Sequence, residues 1–130
     1  MNVVIDTNVF ISSALSPNGK PARIVDYIEH DVNFIVYYNA DILDEYNRVL
    51  SYKKLNIAEK KKTRIINIIN KFGIKIEAIT SNILLPDESD RIFYDTAKAA
   101  NAYLITGNLK YYPEEPHILT PTQFVEMFEK

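Results

Sequence analysis

The residues best suited to chemistry begin with an acid that directly follows the first apolar run of the chain. The β-branched residues 3–5 predict a buried strand, and Asp6 and Asn8 come just after it. Open α/β sheets place their ligand sites at this carboxyl end of a strand. A buried carboxylate is costly unless it is paired, and a divalent metal ion would pair it. The alternative for Asp6 is a helix N-cap, because Asp, Thr and Asn all cap helices well.

Helical geometry separates two neighbouring acids further along the chain. The spacing of apolar residues predicts a helix that is capped by Asn39 and extends to about Ser51. Since each residue advances about 100° around a helix, Glu45 lies at the edge of the apolar face and Asp44 nearly opposite it. An acid at the edge reaches a cleft at the rim of the sheet, whereas an acid on the opposite side is solvated. We therefore expect Glu45, and not Asp44, to belong to a site.

A later predicted helix, Glu88–Asn101, adds more acids. The same geometry places Asp90 on one rim of its apolar face, Asp95 on the other and Arg91 outward. Asp87 belongs to the preceding loop or the first turn, where an acid also gains from the helix dipole. Asp90 is therefore the acid of this segment that is best placed for a site.

The predicted strand Ala102–Thr106 ends in a second polar tip, formed by Thr106, Gly107 and Asn108. If this strand lies beside the first, the two tips meet at one edge of the sheet. Hard oxygen ligands without His or Cys suit Mg²⁺ or Mn²⁺. The residues expected to converge there from four elements are Asp6, Glu45, Asp90 and Asn108.

Basic residues are concentrated in one segment, whereas the net charge of −2 is uninformative. An acid cluster and a basic arm in one small domain indicate a metal site that serves a polyanion. The alternative is that lysines on a solvent-facing helix only increase solubility. The basic residues between positions 53 and 75 are Lys53, Lys54, Lys60, Lys61, Lys62, Arg64, Lys71 and Lys75, and the candidates for nucleic-acid contacts are Lys60, Lys61, Lys62 and Arg64.

Alternating strands and helices predict a parallel sheet covered on both faces, in a single domain of residues 1–130. Gly73 is expected to end the longest helix as a C-cap. The predicted strands are Asn2–Ile5, Asn33–Tyr37, Ile74–Ile79, Ala102–Thr106 and a short one near Ile118. The predicted helices are Val9–Leu15, Pro21–Glu29, Asn39–Ser51, Ala58–Phe72, Glu88–Asn101 and one that begins at Thr120-Pro121.

Composition excludes several classes of function. The chain has no cysteine, which excludes disulfides, zinc–thiolate sites and cysteine nucleophiles. No apolar run approaches the roughly 20 residues that span a membrane, and no basic region precedes the first apolar stretch as in a signal peptide. We therefore expect a cytoplasmic protein. His30 and His117 lack the spacing of metal ligands and are expected to be structural.

Four blocks together resemble PIN-domain nucleases, in particular the small prokaryotic members that are toxins of type II toxin–antitoxin systems. The resemblance extends over essentially the whole chain. It implies a three-layer α/β/α fold with a central, mainly parallel sheet of four or five strands. The blocks are Asp6-Thr7-Asn8-Val9, Ile42-Leu43-Asp44-Glu45-Tyr46, Asp90-Arg91-Ile92-Phe93-Tyr94-Asp95-Thr96-Ala97 and Leu104-Ile105-Thr106-Gly107-Asn108.

The resemblance also implies an activity, a cofactor and partners. The activity is metal-dependent endoribonuclease cleavage that leaves a 5′-phosphate and a 3′-hydroxyl. The partners are the RNA substrate, a small antitoxin protein encoded nearby and a second copy of the chain in a homodimer, with no membrane. Many family members carry Asp at the position of Asn108, so this chain has one charge fewer. The implied roles are catalysis and Mg²⁺ or Mn²⁺ binding for Asp6, Glu45 and Asp90, metal binding for Asn108, and support for Asn8, Thr106, Asp87 and Asp95.

Two other functions compete with this one. An acid followed two residues later by a side-chain oxygen is also found in aspartyl-phosphate phosphatases, but these need a later strand end with paired acids, which Thr106-Gly107-Asn108 lacks. The other alternative is a catalytically weak PIN-like module that binds RNA or a protein, a possibility that Asn108 leaves open. Metal-dependent cleavage that is lost in Asp6→Asn would distinguish the nuclease from this module.

Overall fold

Five parallel strands form one central sheet in the computed structural model, which describes residues 1–130. The spatial order of the strands is β3-β2-β1-β4-β5. In the central pair, Ile5 lies opposite Ile105, so that the two strands end at the same level of the sheet. The strands are β1 (Asn2–Ile5), β2 (Ile35–Tyr38), β3 (Ile74–Lys75), β4 (Tyr103–Ile105) and β5 (Ile118–Leu119).

Six α-helices cover the sheet. No helix combines the length and the hydrophobicity of a membrane span. Short 3₁₀ turns lie at 53–55, 88–90 and 109–111. The helices are α1 (Thr7–Leu15), α2 (Lys20–His30), α3 (Ala40–Leu50), α4 (Glu59–Phe72), α5 (Arg91–Ala100) and α6 (Pro121–Phe128).

The three-layer α/β/α prediction is confirmed by the burial of β1. Val3, Val4 and Ile5 are all fully buried, although successive side chains of a strand point to opposite faces of the sheet. Both faces of β1 are therefore covered by helices. This full burial explains why the strand is a continuous apolar run and does not alternate with polar residues.

The edge strand β3 is much shorter than predicted. Regular pairing extends over Ile74 and Lys75, after which Ile76 donates one more backbone hydrogen bond to Tyr38 at 2.9 Å. The apolar residue Ile79 is 90% exposed. The predicted strand Ile74–Ile79 was therefore wrong beyond its first paired residues. The apolar residues that alternate with polar ones after Lys75 therefore do not continue the edge strand.

Gly73 ends α4 for a different reason from the predicted one. Its φ angle is −70°, so it does not adopt the left-handed conformation of a glycine C-cap. A Cβ atom at this position would lie 2.5 Å from the Ile69 carbonyl oxygen and 2.8 Å from the Tyr38 ring. Glycine is therefore required here by close packing between the end of α4 and β2, and not by backbone conformation.

Candidate active site

Asp6 lies at the carboxyl end of β1 and is almost fully buried. It occupies the N-cap position of α1 without a capping hydrogen bond from its side chain, although the backbone N–H groups of Asn8 and Thr7 lower the pKa of its carboxyl. Its Oδ2 atom accepts hydrogen bonds from the hydroxyls of Thr106 at 2.9 Å and Tyr112 at 2.8 Å. Burial raises the pKa of this carboxyl, and the bonds from Tyr112 and Thr106 partly oppose the increase.

The tips of β1 and β4 are tied together by Asn8. Its Oδ1 accepts from the backbone N–H of Gly107 at 2.9 Å, and its Nδ2 donates to the Thr106 hydroxyl at 3.4 Å. A Cβ on residue 107 would lie 3.3 Å from Asn8 Oδ1, so the absence of a side chain at Gly107 permits this close approach. The backbone N–H of Asn108 also donates to the Thr106 hydroxyl, at 3.1 Å. Asn8 therefore holds Thr106 in place, and Thr106 positions Asp6 from the end of the neighbouring strand β4.

Glu45 approaches the same edge of the sheet from α3. The N-cap Asn39 fixes the start of this helix, because its Oδ1 accepts from the N–H of Ile42 at 3.1 Å and its Nδ2 donates to Thr96 of α5 at 2.8 Å. The Thr7 hydroxyl donates to Glu45 Oε2. Burial raises the pKa of Glu45, and the negative charge of Asp6 raises it further.

The helix-face prediction for α3 is confirmed. The Glu45 side chain is 13% exposed and faces the acids, whereas its neighbour Asp44 is exposed to solvent. Arg48 lies 4.0 Å from Glu45 and is the one basic side chain within ion-pair distance of Asp6, Glu45 or Asp90. The periodicity of this helix was therefore sufficient to choose between the two acids.

Asp90 completes the cluster from the amino end of α5. It is half-buried, and its carboxylate makes no hydrogen bond and no ion pair, not even a capping bond to its own helix. Burial, followed by the charges of Asp6, Asp87 and Glu45, raises its pKa to about 7 from an ordinary value of 3.8. Three acids from three elements therefore repel one another at one edge of the sheet.

The arrangement suits a cation without being a preformed cage. No group of three or more carboxylate or imidazole side chains is positioned to hold one ion together. The carboxylates nevertheless raise each other's pKa, and among them only Arg48 carries a positive charge. Oxygen donors with uncompensated negative charge are the ligands that hard divalent ions prefer. The oxygen donors are therefore of the type that binds Mg²⁺ or Mn²⁺. Their side chains would have to rotate before all of them could reach one ion.

Comparison with known proteins identifies the family. A family model for the PIN domain matches residues 2–110. This chain belongs to the PIN domain family. It is 32% identical over 145 residues to Uncharacterized protein MJ1680 of Methanocaldococcus jannaschii, an alignment that covers 100% of this chain and 93% of the relative.

A similar fold is also found among solved structures. The crystal structure of VapBC2 from Rickettsia felis bound to a DNA fragment from their promoter matches with a TM-score of 0.57 and 16% sequence identity. The match covers 92% of this chain and 97% of that chain. At this identity the similarity supports the fold alone, and it agrees with the predicted α/β architecture.

Two predicted supporting acids of this PIN domain make their hydrogen bonds to residues outside the cluster. Asp87 is exposed, and its carboxylate accepts hydrogen bonds from the backbone N–H and the hydroxyl of Ser89, which lower its pKa. Asp87 caps the 3₁₀ turn at 88–90, which agrees with its predicted position in the loop or first turn before α5. Asp95 is buried and accepts from the N–H of Ser81 at 3.0 Å. Asp87 still acts on Asp90 through its charge, whereas Asp95 holds the segment that precedes α5.

Arg91 does not point outward as predicted. Its side chain is 14% exposed and donates to the carbonyl oxygens of Ser81 at 2.9 Å and Ile83 at 2.7 Å, while it also pairs with Glu88. The segment 81–83 crosses over α5 and covers a face that the isolated helix would present to solvent. Helical periodicity could not predict this, because the covering segment has no periodicity of its own.

The basic candidates on α4 have internal partners in three of four cases. Arg64 pairs with Asp26 at 3.0 Å and Glu29 at 3.2 Å on α2. Lys61 donates to the carbonyl oxygen of Ala14, near the end of α1, at 2.7 Å, and Lys62 donates to the Ser51 hydroxyl. Among the four, Lys60 alone makes no hydrogen bond or ion pair within the chain. These contacts join α4 to its neighbours, and a role of the four residues in nucleic-acid binding stays a prediction.

Sequence reasoning missed two site residues, Thr7 and Tyr112. Thr7 lies next to Asp6 and was considered only as a capping residue, so its position was a usable signal. Tyr112 follows the 3₁₀ turn at 109–111 and contacts Asp6 from 106 positions away in sequence. Nothing in its local pattern distinguished it from the other tyrosines of the chain.

Proposed function

We propose that this PIN domain is a metal-dependent endoribonuclease that hydrolyses RNA phosphodiester bonds. One observation carries the proposal: carboxylates from β1's end, α3 and α5 meet at one edge of the sheet with a single basic side chain among them. Membership in the PIN domain family, whose members are in general nucleases that use divalent metal ions, supports it. The residues that would hold the ion, Mg²⁺ or Mn²⁺, are Asp6, Glu45, Asp90 and Asn108.

The chemistry that such an ion supplies is a lowered pKa of a bound water and neutralisation of charge on the phosphate. The chain's own residues prepare the ligands. Thr106 and Tyr112 both donate to Oδ2 of Asp6, which fixes the rotamer of this carboxylate and leaves Oδ1 without a side-chain hydrogen bond. Thr7 holds Oε2 of Glu45 in the same manner. The carboxylate of Asp90 makes no hydrogen bond that would have to break, so it is the ligand that rotates most freely toward an ion.

Asn108 fits the role of a neutral ligand. Its side chain is half-buried and makes no hydrogen bond within the protein, while its backbone N–H is fixed on the hydroxyl of Thr106 at 3.1 Å. The amide oxygen is therefore available near the residue that supports Asp6. An amide provides an oxygen donor without the fourth negative charge that an aspartate would add.

A test measures cleavage of a single-stranded RNA oligonucleotide with EDTA, Mg²⁺ or Mn²⁺, followed by analysis of the new ends. We expect cleavage only with a divalent ion, products with a 5′-phosphate and a 3′-hydroxyl, and no cleavage by Asp6→Asn prepared in parallel. Cleavage in EDTA, or equal cleavage by wild type and Asp6→Asn, would contradict a metal-dependent nuclease.

We further propose that the protein is the toxin component of a type II toxin–antitoxin system and acts in the cytoplasm as a homodimer with a small antitoxin partner. The fold shared with VapBC2, solved on a DNA fragment from their promoter, supports this role. The test is bacterial growth after induction of the wild type or Asp6→Asn. Arrest by the wild type alone is expected. Equal growth of both strains at equal protein levels would count against a toxin.

A catalytically weak module that binds RNA or a protein is the second candidate. The observation in its favour is that no three acids are preformed around one ion, with Asn108 contributing no charge. This candidate predicts RNA or protein binding without metal-dependent cleavage, so the same cleavage assay separates the two.

A further inference from the structure

A row of basic and aromatic side chains leads away from the acid cluster at the carboxyl end of α3. Arg48 begins the row: one of its guanidinium nitrogens lies 4.0 Å from Glu45, and another donates to the Tyr52 hydroxyl at 2.8 Å. Tyr52 is 39% exposed, and the Lys54 ammonium lies 6.0 Å from the centre of its ring. Lys53 is also exposed. We name Arg48, Tyr52, Lys53 and Lys54 the Tyr52 surface.

The charges of the Tyr52 surface are uncompensated, in contrast to those of the basic segment on α4. Lys53 and Lys54 make no ion pair and no side-chain hydrogen bond, whereas Arg64 is paired with two acids of α2. Within the Tyr52 surface, the sole acidic neighbour is Glu45, which belongs to the proposed metal site. Free positive charge beside an exposed aromatic ring is the combination that single-stranded nucleic acids recognise.

We propose that the Tyr52 surface is a subsite for single-stranded RNA next to the cleavage site. An unpaired base stacks on the Tyr52 ring, and Lys54 and Lys53 contact the adjoining phosphates. Arg48 orients the ring through its bond to the Tyr52 hydroxyl and links this subsite to Glu45. The inference rests on the proposed nuclease function, because it uses RNA as the ligand. It assigns substrate contacts to the end of α3 and the turn at 53–55, and not to α4.

Several features favour RNA over a protein partner at this surface. The surface carries three positive charges and one aromatic ring, and it lacks the contiguous apolar area that a protein interface core requires. Stacking on an aromatic ring needs a base whose face is open, so a single strand should bind better than a duplex. Binding that falls with salt is also expected, because each phosphate contact releases counterions.

The experiment measures binding of a fluorescent single-stranded RNA and of its duplex by anisotropy, in Mg²⁺, on an Asp90→Asn background that does not cut. Tyr52→Leu should weaken binding of the single strand by about tenfold and bring it close to that of the duplex. Tyr52→Phe keeps the ring but removes the hydroxyl that accepts from Arg48, so it should lose clearly less affinity than Tyr52→Leu. Lys54→Gln should lower the slope of log affinity against log salt by roughly 0.7.

The matched control is Phe72→Leu. Phe72 is also a 37% exposed ring with a lysine ammonium, that of Lys71, 5.2 Å from its centre. It is the last residue of α4, next to the start of β3, which lies two strands away from β1 and the acids. This variant should bind RNA as the parent does, so a general effect of removing an exposed ring is separated from a site-specific one. Thermal melting checks that each variant is folded.

Three results would overturn the inference. The first is an equal loss of RNA affinity in Tyr52→Leu and Phe72→Leu. The second is an unchanged RNA affinity in Tyr52→Leu. The third is an RNA affinity in Tyr52→Phe that is as low as that in Tyr52→Leu. If the wild type cleaves RNA with metal while Tyr52→Leu binds normally, the nuclease proposal stands and this subsite fails. If the wild type neither binds nor cleaves RNA, both proposals fail.

Discussion

The edge of the sheet at β1 and β4 and the contact between α4 and α2 use charge in opposite ways. Between the helices, Arg64 lies 3.0 Å from Asp26 and 3.2 Å from Glu29, so that each charge has a partner. At the sheet edge, Asp6, Glu45 and Asp90 crowd together with Arg48 alone nearby. Compensated charges serve to join elements. Uncompensated charges cost stability, and their presence indicates a ligand that the fold is prepared to receive.

The largest effect that follows from this contrast concerns cleavage. Asp6→Asn, Glu45→Gln and Asp90→Asn should each lower the rate of RNA cleavage by about 100- to 1,000-fold, because each removes a carboxylate that would hold the metal ion whose charge stabilises the transition state. Asp44→Asn, one residue from Glu45 but exposed, should cleave at nearly the parental rate. If Asp44→Asn is impaired and Glu45→Gln is not, the assignment of faces on α3 is wrong.

Tyr112→Phe tests whether the bonds that hold Asp6 matter. The buried hydroxyl donates to Asp6 Oδ2 at 2.8 Å, so its removal should cost about 1–2 kcal/mol of unfolding free energy and about tenfold in cleavage rate. Urea denaturation and initial rates measure the two quantities. The matched control is Tyr94→Phe, which removes a hydroxyl that donates to Glu115 at 2.6 Å outside the acid cluster, and its cleavage rate should be unchanged.

The cost of uncompensated charge should appear as a dependence of stability on pH. The folded pKa of Asp90 is raised to about 7 from 3.8, so the folded state binds this proton more tightly than the unfolded chain does. Stability in EDTA should therefore fall as the pH rises from about 4 to about 7 and then level off. At pH 8, Asp90→Asn should melt a few degrees higher than the wild type, and the difference should vanish near pH 4.

The change in melting temperature on adding Mg²⁺ is the complementary measurement. Adding it at pH 8 should raise the melting temperature of the wild type more than that of Asp90→Asn, because a ligand stabilises the state that binds it. A pH-independent difference between the two proteins without metal would show that burial and the neighbouring acids do not raise the pKa of Asp90.

Asn108→Asp adds one more negative charge to the edge of the sheet where Asp6, Glu45 and Asp90 lie. The metal concentration for half-maximal cleavage should fall, while stability in EDTA should decrease because of the added repulsion. Calorimetric titration with Mn²⁺ measures the affinity independently of activity. An unchanged affinity together with unchanged stability in EDTA would place the side chain of residue 108 outside the ion's reach.

The smallest effect is expected where charges are compensated. Arg64→Gln removes two exposed ion pairs and should cost about 0.2–1 kcal/mol in urea denaturation, with no change in the salt dependence of RNA binding. Lys60→Gln, which removes a lysine without an internal partner, serves as the control for stability. A weaker dependence of RNA binding on salt in Arg64→Gln would show that α4 contacts the RNA after all.

Local patterns predicted the elements of the site well. β1 was predicted with its observed limits, Asn39 was recognised as the cap of α3, and Glu45 was chosen over Asp44. These predictions succeeded because burial of an apolar face dictates the orientation of every residue on the same helix or strand. The same reasoning failed for the segment after Lys75, where the apolar residues do not continue the strand.

The sequence by itself determined which polar residues end the strands and which acid faces inward, since both follow from the period of a single element. The tertiary structure alone decided the contacts between distant segments: the bond from Tyr112 to Asp6, the burial of Arg91 under residues 81–83, and the pairing of Arg64 with α2. Each of these depends on where a loop or a second helix packs. Such packing is set by the whole core, and no residue's own periodicity encodes the position of its distant partner.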